Sequence, residues 1–475
     1  MMTDQQARPP RAADPPSLLA QASVIRLGAS LMARSLTRSA RTGTATVLAA
    51  ATLVALSACG SSSSSTAAPS SKSPVTISFW SWTGNAQQVV AAFNATHTDV
   101  QVNFTKITSG SQGGYTKVLD AAKAGNAPDV FNCEYQALPE FASQGDLKDL
   151  SSYFNSSLKS DFSPAAMSLV TLGGKQWALP FDVEPVVLVY RKDLFAKFHL
   201  AVPTTWAQFQ TEAQQLKAQD PKSVLVNYSP DDSAAEQALA WQNGAQWFTD
   251  SNGSWRTTLT DAPTEQVAGY WQNLISKGLA SDKLVADPSL APAIADGTVL
   301  TQILPASSVS TLVVNDPKSA GEWAAAPLPS WDGQPATGMD GGSSLAITTD
   351  NKNTAAAEEF AQWYATSADA LKTKLGTDGP SLYPADAANA PTATTAFKAN
   401  YSAYFGGQDL YSLFGTAAQS IKPGWTWGPL MVDTNKVLAA NNQKVLTGGT
   451  LADSLSATQS QTLSDLKADG YTVAQ

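Results

Sequence analysis

The chain from Pro74 onward alternates between two hydrophobic periodicities. Apolar residues recur at every second position in 75–80, a period that predicts a β-strand with one buried face. The next segment, 85–94, groups its apolar residues on one face of a helix, with Asn85 as the predicted N-cap. Strand and helix patterns then continue to alternate, which predicts an α/β protein built on parallel sheets.

The ends of the predicted strands carry aromatic and polar side chains. In open α/β sheets, ligands bind beyond the carboxyl ends of the strands. The segments that follow strands 75–80 and 129–131 therefore form the first part of a predicted ligand site. The ligand-binding residues predicted there are Ser81, Trp82, Thr83, Asn85, Glu134, Tyr135 and Gln136.

A proline-bracketed acidic segment lies between two apolar strand patterns. Pro180 and Pro185 flank Asp182 and Glu184, and the run 186–190 that follows is apolar and β-branched, as a buried strand is. This arrangement predicts a hinge between two lobes, with both carboxylates where the lobes face each other. We expect Glu184 to be solvated in an open cleft and to bind ligand hydroxyl groups.

The second half of the chain is rich in tryptophan. Trp425 and Trp427 lie between two helical patterns, and Asp231 precedes a helix that contains Trp241. Indole faces pack on the apolar faces of sugar rings, while carboxylates accept hydroxyl protons. We therefore predict that these four residues bind ligand, although a core position is the ordinary alternative for each tryptophan.

The first 58 residues have the pattern of an export signal. Arginines precede an uncharged apolar run at 45–56, which is too short to span a bilayer comfortably. The run ends in Leu56-Ser57-Ala58-Cys59, which resembles the lipobox of bacterial lipoproteins. We predict a signal peptide with an N-terminal extension at 1–58, a lipidated Cys59, and a Ser-rich tether at 59–74. Translation from Met32 is a second possible start.

Charge and composition exclude several classes of function. The full chain carries a net charge of −9; removal of 1–58 takes away six Arg and two Asp and leaves −13. An acidic protein of this kind is not expected to bind nucleic acid. With two histidines in the chain and Cys133 as the one cysteine besides Cys59, we expect a buried thiol, no internal disulfide, no metal site and no cofactor.

Several motifs resemble those of the bacterial extracellular solute-binding protein family 1. These motifs occur in the family's order, and the resemblance covers nearly all of 75–475. They are Ser78-Phe79-Trp80-Ser81-Trp82, Gly125-Asn126-Ala127-Pro128-Asp129-Val130, Leu179-Pro180-Phe181-Asp182, Tyr190-Arg191-Lys192-Asp193-Leu194-Phe195, Pro203-Thr204-Thr205-Trp206 and Gly341-Gly342-Ser343-Ser344. The last motif adds Asp340 and Gly341 to the predicted ligand residues.

The resemblance implies a two-lobed periplasmic-binding-protein fold of type II, similar in architecture to maltose-binding protein. Three crossings would link the lobes around a ligand cleft. The implied ranges are lobe one at 75–182 and 340–375, lobe two at 186–330 and 385–475, and hinge crossings at 181–185, 327–339 and 376–384.

The resemblance also implies a function. The chain would be a monomeric, non-catalytic substrate-binding lipoprotein on the outer face of the cytoplasmic membrane. It would deliver a mono- or oligosaccharide to an ABC permease whose ATPase subunits are separate chains. A receptor for a peptide or polyamine on the same fold remains open, as does a secreted glycosidase with paired carboxylates. The chain departs from the family at 304–308, where many relatives have a tryptophan, so the pose of the ligand is expected to differ.

Replacement of the predicted lipidation site tests the anchor. We expect Cys59→Ala to move the protein from the membrane fraction to the soluble fraction, because the acyl chains would be lost. Ligand affinity is expected to stay the same, since the tether lies outside the predicted fold. Fractionation followed by immunoblotting measures the distribution, and a variant that stays membrane-bound would contradict the lipoprotein prediction.

Overall fold

The computed structural model describes residues 73–376 and 379–474. The predicted signal peptide 1–58, Cys59, all but the end of the tether 59–74, and two residues of the crossing 376–384 lie outside these ranges. None of the helices in the described ranges combines the length and apolar composition that crossing a bilayer requires.

Strands and helices alternate along the described chain. The strands are β1 Val75–Ser81, β2 Val100–Lys106, β3 Val130–Glu134, β4 Thr171–Leu172, β5 Lys175–Gln176, β6 Ala178–Pro180, β7 Asp182–Val183, β8 Val187–Arg191, β9 Val226–Asn227, β10 Phe248–Ser251, β11 Ser254–Thr257, β12 Ala280–Ser281, β13 Thr301–Leu304, β14 Trp323–Ala326, β15 Ser343–Ile347, β16 Tyr383–Pro384 and β17 Thr472–Val473.

The α-helices occupy most of the remaining chain. They are α1 Ala86–Thr96, α2 Gly114–Lys123, α3 Leu138–Ser143, α4 Ser156–Asp161, α5 Pro164–Leu169, α6 Lys192–Lys197, α7 Trp206–Gln219, α8 Ser233–Gln242, α9 Ala262–Ser276, α10 Leu290–Ala295, α11 Val309–Asn315, α12 Thr354–Thr366, α13 Ala368–Lys374, α14 Ala390–Tyr401, α15 Leu410–Gln419, α16 Met431–Asn442 and α17 Leu451–Ala468. The predicted strand–helix alternation is confirmed.

The largest sheet has five strands in the order β2-β1-β3-β15-β6. The strands β1, β2 and β3 are parallel, whereas β15 is antiparallel to both β3 and β6. Phe79 on β1 is fully buried, with edge contacts to Phe360 and Tyr364 of α12. This apolar contact holds α12 against the sheet in the part that we call lobe one.

The second group of sheets is smaller and more irregular. The strand β8 lies between β13 and β14, antiparallel to both, and β10-β11-β17 and β9-β12 form further sheets. Trp206 of α7 and Trp271 of α9 are almost fully buried with their rings edge to face at 5.6 Å. We call this group lobe two, and its boundaries in sequence remain our proposal.

Three chain segments meet where the two groups of sheets join. β7 pairs with β16, and Pro185 bridges Met339 in antiparallel register. The loop 327–335 packs on lobe-two residues instead, since Ser330 bridges Thr205 and the carbonyl of Pro329 accepts a bond from Gln242. Of the predicted crossing 327–339, only the end, from Thr337 onward, therefore reaches the junction, and the chain continues there past Met339.

Asn85 stands at the predicted N-cap position of α1, but its side chain does not cap the helix. Asn85 precedes α1, but its backbone is left-handed at φ 58° and its side chain makes no capping bond. Its amide instead donates to the carbonyl of Lys374 at 3.2 Å. The side chain thus ties the beginning of α1 to the end of α13 and is not available as a cap.

The Asp129 carboxylate offers a test of how lobe one is held together. It accepts bonds from the backbone N–H and hydroxyl of Ser78, at 2.7 and 2.8 Å, and from the Asn351 amide at 2.6 Å. We expect Asp129→Ala to lower the free energy of unfolding by about 2–3 kcal/mol, because partly buried donors lose a charged acceptor. Asp129→Asn keeps one acceptor oxygen and should lose less. Chemical denaturation measures both, and an Ala variant as stable as the parent would contradict this role.

Candidate functional site

A polar cavity of about 310 Å³ lies between the two lobes. Lobe one contributes the loop before α2, α2 itself and the end of β3, and lobe two contributes the beginning of α8 and one face of α16. The lining residues are Ser111, Tyr115, Gln136, Asp231, Asp232, Ser233, Ala234, Val432, Asn435, Lys436 and Ala439. Helix and strand ends with exposed donors and acceptors suit the binding of a small polar ligand.

A chain of hydrogen bonds crosses from one lobe to the other beside this cavity. The Tyr115 hydroxyl and the Gln136 amide both donate to Glu134 Oε2, at 2.6 and 2.9 Å. Asn435 Nδ2 donates to Gln136 Oε1 at 2.7 Å, and Gln237 Nε2 donates to Asn435 Oδ1 at 2.5 Å. These bonds hold the two lobes together, and each member is a group that a ligand can also engage.

The loop after β1 brings an aromatic ring to this site. Trp82 is partly buried and meets the ring of Tyr115 edge to face at 5.7 Å. The hydroxyls of the buried Ser81 and the partly buried Thr83 both donate to the side-chain oxygen of Asn132. Ser81 and Thr83 therefore hold the loop that positions Trp82.

Asp182 and Tyr135 connect the crossing strand to the sheet of lobe one. The Ser343 N–H donates to Asp182 Oδ1 at 2.6 Å, and the Tyr135 hydroxyl donates to the Asp182 carbonyl at 2.8 Å. Gly342 has φ 99°, and a Cβ there would lie 2.9 Å from the Tyr135 ring. Only glycine fits this position, because any side chain would be both strained and in collision with the ring.

Glu184 is buried, contrary to the expectation of a solvated hinge charge. Its side chain is 2% exposed, and Oε2 accepts the Ser307 N–H at 2.8 Å. Among the described residues, Oε1 has no hydrogen-bond partner. Ser307 belongs to the segment 304–308 where the chain departs from the family. That segment therefore contacts Glu184 directly, which the sequence did not indicate.

Burial and mutual repulsion raise the pKa of the carboxylates at the junction. Burial is the main cause for Asp182, whose pKa rises to about 7, and for Glu184, whose pKa rises well above its usual range with Asp182 adding to the effect. The pKa of the partly buried Asp340 rises to about 8 through burial and the nearby charges of Asp232 and Glu134. The junction thus favours protonated carboxyl groups at neutral pH.

Lys374 is a buried basic residue whose charge acts on the carboxyl group of Asp182. Its ammonium lies 3.8 Å from the ring centre of Phe181 and 4.0 Å from that of Tyr364. Burial lowers the pKa of Lys374 to about 7, and the charge of Asp182 partly offsets that effect. The rings stabilise the cation by cation–π contact, within lobe one.

The predicted tryptophans form an aromatic cluster in lobe two. Trp241 and Trp425 are stacked at 5.2 Å with an interplanar angle of 7°, and Trp427 meets both rings edge to face. All three are 3–5% exposed. Trp425 and Trp427 also border a small gap against Leu138 and Pro139 of lobe one.

A larger apolar cavity, of about 510 Å³, lies beside Trp241 and Trp425. Its walls include Val183 of the crossing strand β7 and Tyr383 of its partner strand β16. Because side chains alternate along a strand, Val183 points away from the face that carries Asp182 and Glu184. The apolar cavity and the carboxylates therefore lie on opposite faces of the crossing.

The structure divides the predicted ligand residues into three groups. Those around the polar cavity and the carboxylates are Trp82, Glu134, Gln136, Asp182, Glu184, Asp231, Asp340 and Gly341. Those whose polar side chains are bonded within the protein are Ser81, Thr83, Asn85 and Tyr135. Those in the separate aromatic cluster are Trp241, Trp425 and Trp427. A role in ligand binding stays a prediction for all of them.

Sequence reasoning missed several residues of the site. Tyr115 lies at the start of α2 with its ring buried, as a core aromatic residue does, while its hydroxyl reaches Glu134. Asn435 and Gln237 lie on helices of lobe two, and Asn435 is 299 residues from Gln136. No local pattern marks such long-range partners.

Comparison with known proteins places these features in a family. Residues 80–371 match the family model described as bacterial extracellular solute-binding protein. An uncharacterized lipoprotein in the oleD 5′ region of Streptomyces antibioticus is 29% identical over 177 residues, 33% of this chain and 39% of that protein, so the chain matches well under half the length of this relative.

Two further proteins match over greater length. The arabinooligosaccharide-binding protein of Halalkalibacterium halodurans is 24% identical over 64% of this chain and 70% of that protein. The solved galacto-N-biose-/lacto-N-biose I-binding protein of the ABC transporter from Bifidobacterium longum, in complex with lacto-N-biose, is 27% identical. It has a TM-score of 0.74 and covers 85% of this chain and 100% of that chain. The predicted two-lobed binding-protein fold is confirmed.

The buried carboxylates predict an unusual dependence of stability on pH. The pKa of Asp182 is about 7 in the folded protein and lies near 4 in the unfolded chain, so the folded state holds the proton more tightly. This contribution to stability is complete below about pH 4 and is lost as the pH rises towards 7. We expect the free energy of unfolding to fall between pH 5 and 7, by at most about 1.4 kcal/mol per proton per pH unit. Above pH 7 the lowered pKa of Lys374 acts in the opposite direction.

Calorimetry from pH 5 to 7 measures this slope. Asp182→Asn should flatten it, because the amide does not titrate. Glu359→Gln, an equivalent change at an exposed position of α12, should leave the slope unchanged. A melting temperature that rises steadily across this range in the parent protein would contradict the prediction.

Proposed function

The chain belongs to the bacterial extracellular solute-binding proteins, and from this membership we propose that it captures a sugar between its two lobes outside the cell. The captured sugar would then pass to the membrane permease of an ABC importer. Its family consists of binding proteins, so the prediction that it is not an enzyme is confirmed. The relatives named above as binding proteins take arabinooligosaccharides and lacto-N-biose.

The hydrogen bond between Gln136 and Asn435 is the observation that best supports this proposal. It joins the lobes directly beside the polar cavity, where Glu134, Asp231 and Asp232 supply acceptors. A sugar presents closely spaced hydroxyl groups and apolar ring faces, which match these acceptors and the ring of Trp82.

Capture works through a shift between lobe arrangements. Contacts such as Gln136–Asn435 exist only when the lobes touch. A ligand favours that arrangement only to the extent that it binds both lobes at once. The touching lobes then present a surface to the permease that separated lobes do not.

The remaining parts of the proposal concern the anchor and the partners. Lipid on Cys59 would hold the protein at the outer face of the cytoplasmic membrane, and the tether 59–74 would let the folded part reach the permease. The protein would act as a monomer, with ATPase subunits on separate chains. The name lipoprotein carried by the Streptomyces relative supports the anchor.

A thermal-shift screen against sugars tests the function. A sugar at a hundredfold its dissociation constant should add about 2.7 kcal/mol of stability. The panel should include mono- and oligosaccharides, with peptides and spermidine for the alternative receptor classes. Stabilisation by peptides or spermidine, and by none of the sugars, would contradict sugar capture.

Trp82 is the aromatic ring best placed to stack on a bound sugar. We expect Trp82→Ala to weaken the affinity for the sugar found in the screen by about 1–3 kcal/mol, through loss of one apolar wall. Calorimetric titration measures this. Trp80→Ala is the matched control, because Trp80 is also partly buried, two residues earlier on β1, but lies under Lys117. Equal affinities for parent and Trp82 variant would show that Trp82 is not a contact.

A further inference from the structure

Acidic side chains from four separate parts of the chain gather around the lobe junction. The strand β3 supplies Glu134, the crossing strand supplies Asp182 and Glu184, the segment before β15 supplies Asp340, and the beginning of α8 supplies Asp231 and Asp232. They are neighbours in space: Ser343 pairs with Glu134 and donates to Asp182, and Asp340 N–H donates to the Glu184 carbonyl. Asp232 lines the polar cavity and raises the pKa of Asp340.

Positive charge in this region is scarce among the described residues. The Lys374 ammonium lies over the rings of Phe181 and Tyr364. Lys436, which lines the cavity, forms an ion pair with Asp433 at 2.9 Å on the exposed side of α16. The acidic groups at the junction therefore have little compensating charge from the protein itself.

Glu184 provides independent evidence that a hydrogen-bond donor from a ligand binds at the junction. Its Oε2 is bonded to Ser307, but the buried Oε1 has no partner within the described residues. A buried carboxylate oxygen left without a donor is costly. Burial, and then the charges of Asp182 and Asp340, raise the pKa of Glu184. The Asp340 N–H also donates to the Glu184 carbonyl, so the Glu184 carboxyl group belongs to the acidic group.

Three kinds of donor could satisfy these carboxylates. A metal ion is not favoured, since no three His, Cys, Asp or Glu side chains in the described ranges converge in a way that could hold one. A neutral sugar brings hydroxyl donors but no positive charge, so it does not favour the ionised form of these carboxyl groups. A sugar with an ammonium group brings both donors and charge, and its bond to a carboxylate is the stronger kind.

We propose that the sugar captured by this chain carries a protonated amine, which the carboxylates around Glu184 and Asp340 bind. The inference rests on the proposed function and narrows its ligand to amino sugars. Specificity arises because the ammonium group favours ionisation of these carboxyl groups and forms charge-assisted bonds with them, and its N-acetylated counterpart does not.

Binding of the amine would also release protons. The titratable groups that act on Glu184 directly are Asp182 on its own crossing segment, Asp340 on the neighbouring segment and Tyr135 after β3. Beyond these, Glu134 and Lys374 act on Asp182, and Glu134 and Asp232 act on Asp340. Carboxyl groups that hold a proton before binding lose it when the cation arrives. Where one proton is released, affinity should fall about tenfold for each unit by which the pH is lowered.

The ligand experiment uses matched sugars. Titration calorimetry compares glucosamine, galactosamine and the disaccharide of β-1,4-linked glucosamine with their N-acetylated forms and with glucose, galactose and cellobiose. We expect at least one amine to bind at least tenfold more tightly than both of its counterparts at pH 7. That preference should shrink at pH 5.5, and titrations in two buffers of different ionisation enthalpy should show proton release.

The variant experiment separates charge from shape. Glu184→Gln should reduce the preference for the amine over its N-acetylated form by about tenfold or more, while Glu359→Gln at an exposed position of α12 should leave the preference unchanged. Melting curves of both variants without sugar check that they fold, and Asp340→Asn serves as a second variant if Glu184→Gln does not.

The outcomes distinguish this inference from the proposed function. If neutral or N-acetylated sugars bind as tightly as the amines, sugar capture stands and the amino-sugar inference is overturned. If the amines bind more tightly but their preference is the same in Glu184→Gln and Asp340→Asn as in the parent protein, the inference is also overturned. Other residues would then recognise the ammonium charge. If no sugar binds and spermidine does, both the proposed function and the inference fail.

Discussion

The pairing of the crossing segments is the constraint on which the rest of the structure depends. The chain leaves the sheet of lobe one at β6, pairs as β7 with β16, and bridges Met339 through Pro185. The Ser343 N–H bound to Asp182 fixes this crossing to the sheet. Because the segments lie side by side, the carboxylates of Asp182 and Glu184 are carried to the face between the lobes and Val183 to the opposite face.

This geometry makes the junction an electrostatic compromise. Burial that would stabilise apolar residues instead raises the pKa of Asp182, Glu184 and Asp340. Such an arrangement costs folding free energy at neutral pH, in the way that functional sites often do. The cost is offset elsewhere, for example by the aromatic packing around Phe79 and Trp206.

The fold could be predicted from the sequence to a large extent, because its signals are local. Neighbouring residues determine both the period-two strands and the capped helices. In α9, for example, Asp261 accepts a hydrogen bond from the Thr264 N–H. The family resemblance supplied the two-lobed arrangement. The Asn85 cap failed because a tertiary partner, the carbonyl of Lys374, took the side chain.

The site was predictable only in part, because its contacts join distant residues. Trp82, Glu134 and Gln136 stand at strand ends, where topology places ligand residues. Ser307 is 123 residues from Glu184, and its role is played by a backbone N–H that no sequence motif reveals. The burial of Glu184 likewise results from lobe contact, which a strand pattern does not encode.

The position of β15 has a consequence for how the protein is made. This strand lies between β3 and β6 in the sheet, yet its first residue follows Asp182 by 161 positions. While the ribosome is still producing lobe two, β3 and β6 each present an unpaired edge, and such edges invite pairing between nascent chains. Lobe one can therefore close its sheet only after residue 347 has been synthesised. With this strand order, the chain completes its first lobe only after most of its second has been synthesised. Until then, during translation and export, its open sheet edges must be kept from pairing with those of other chains.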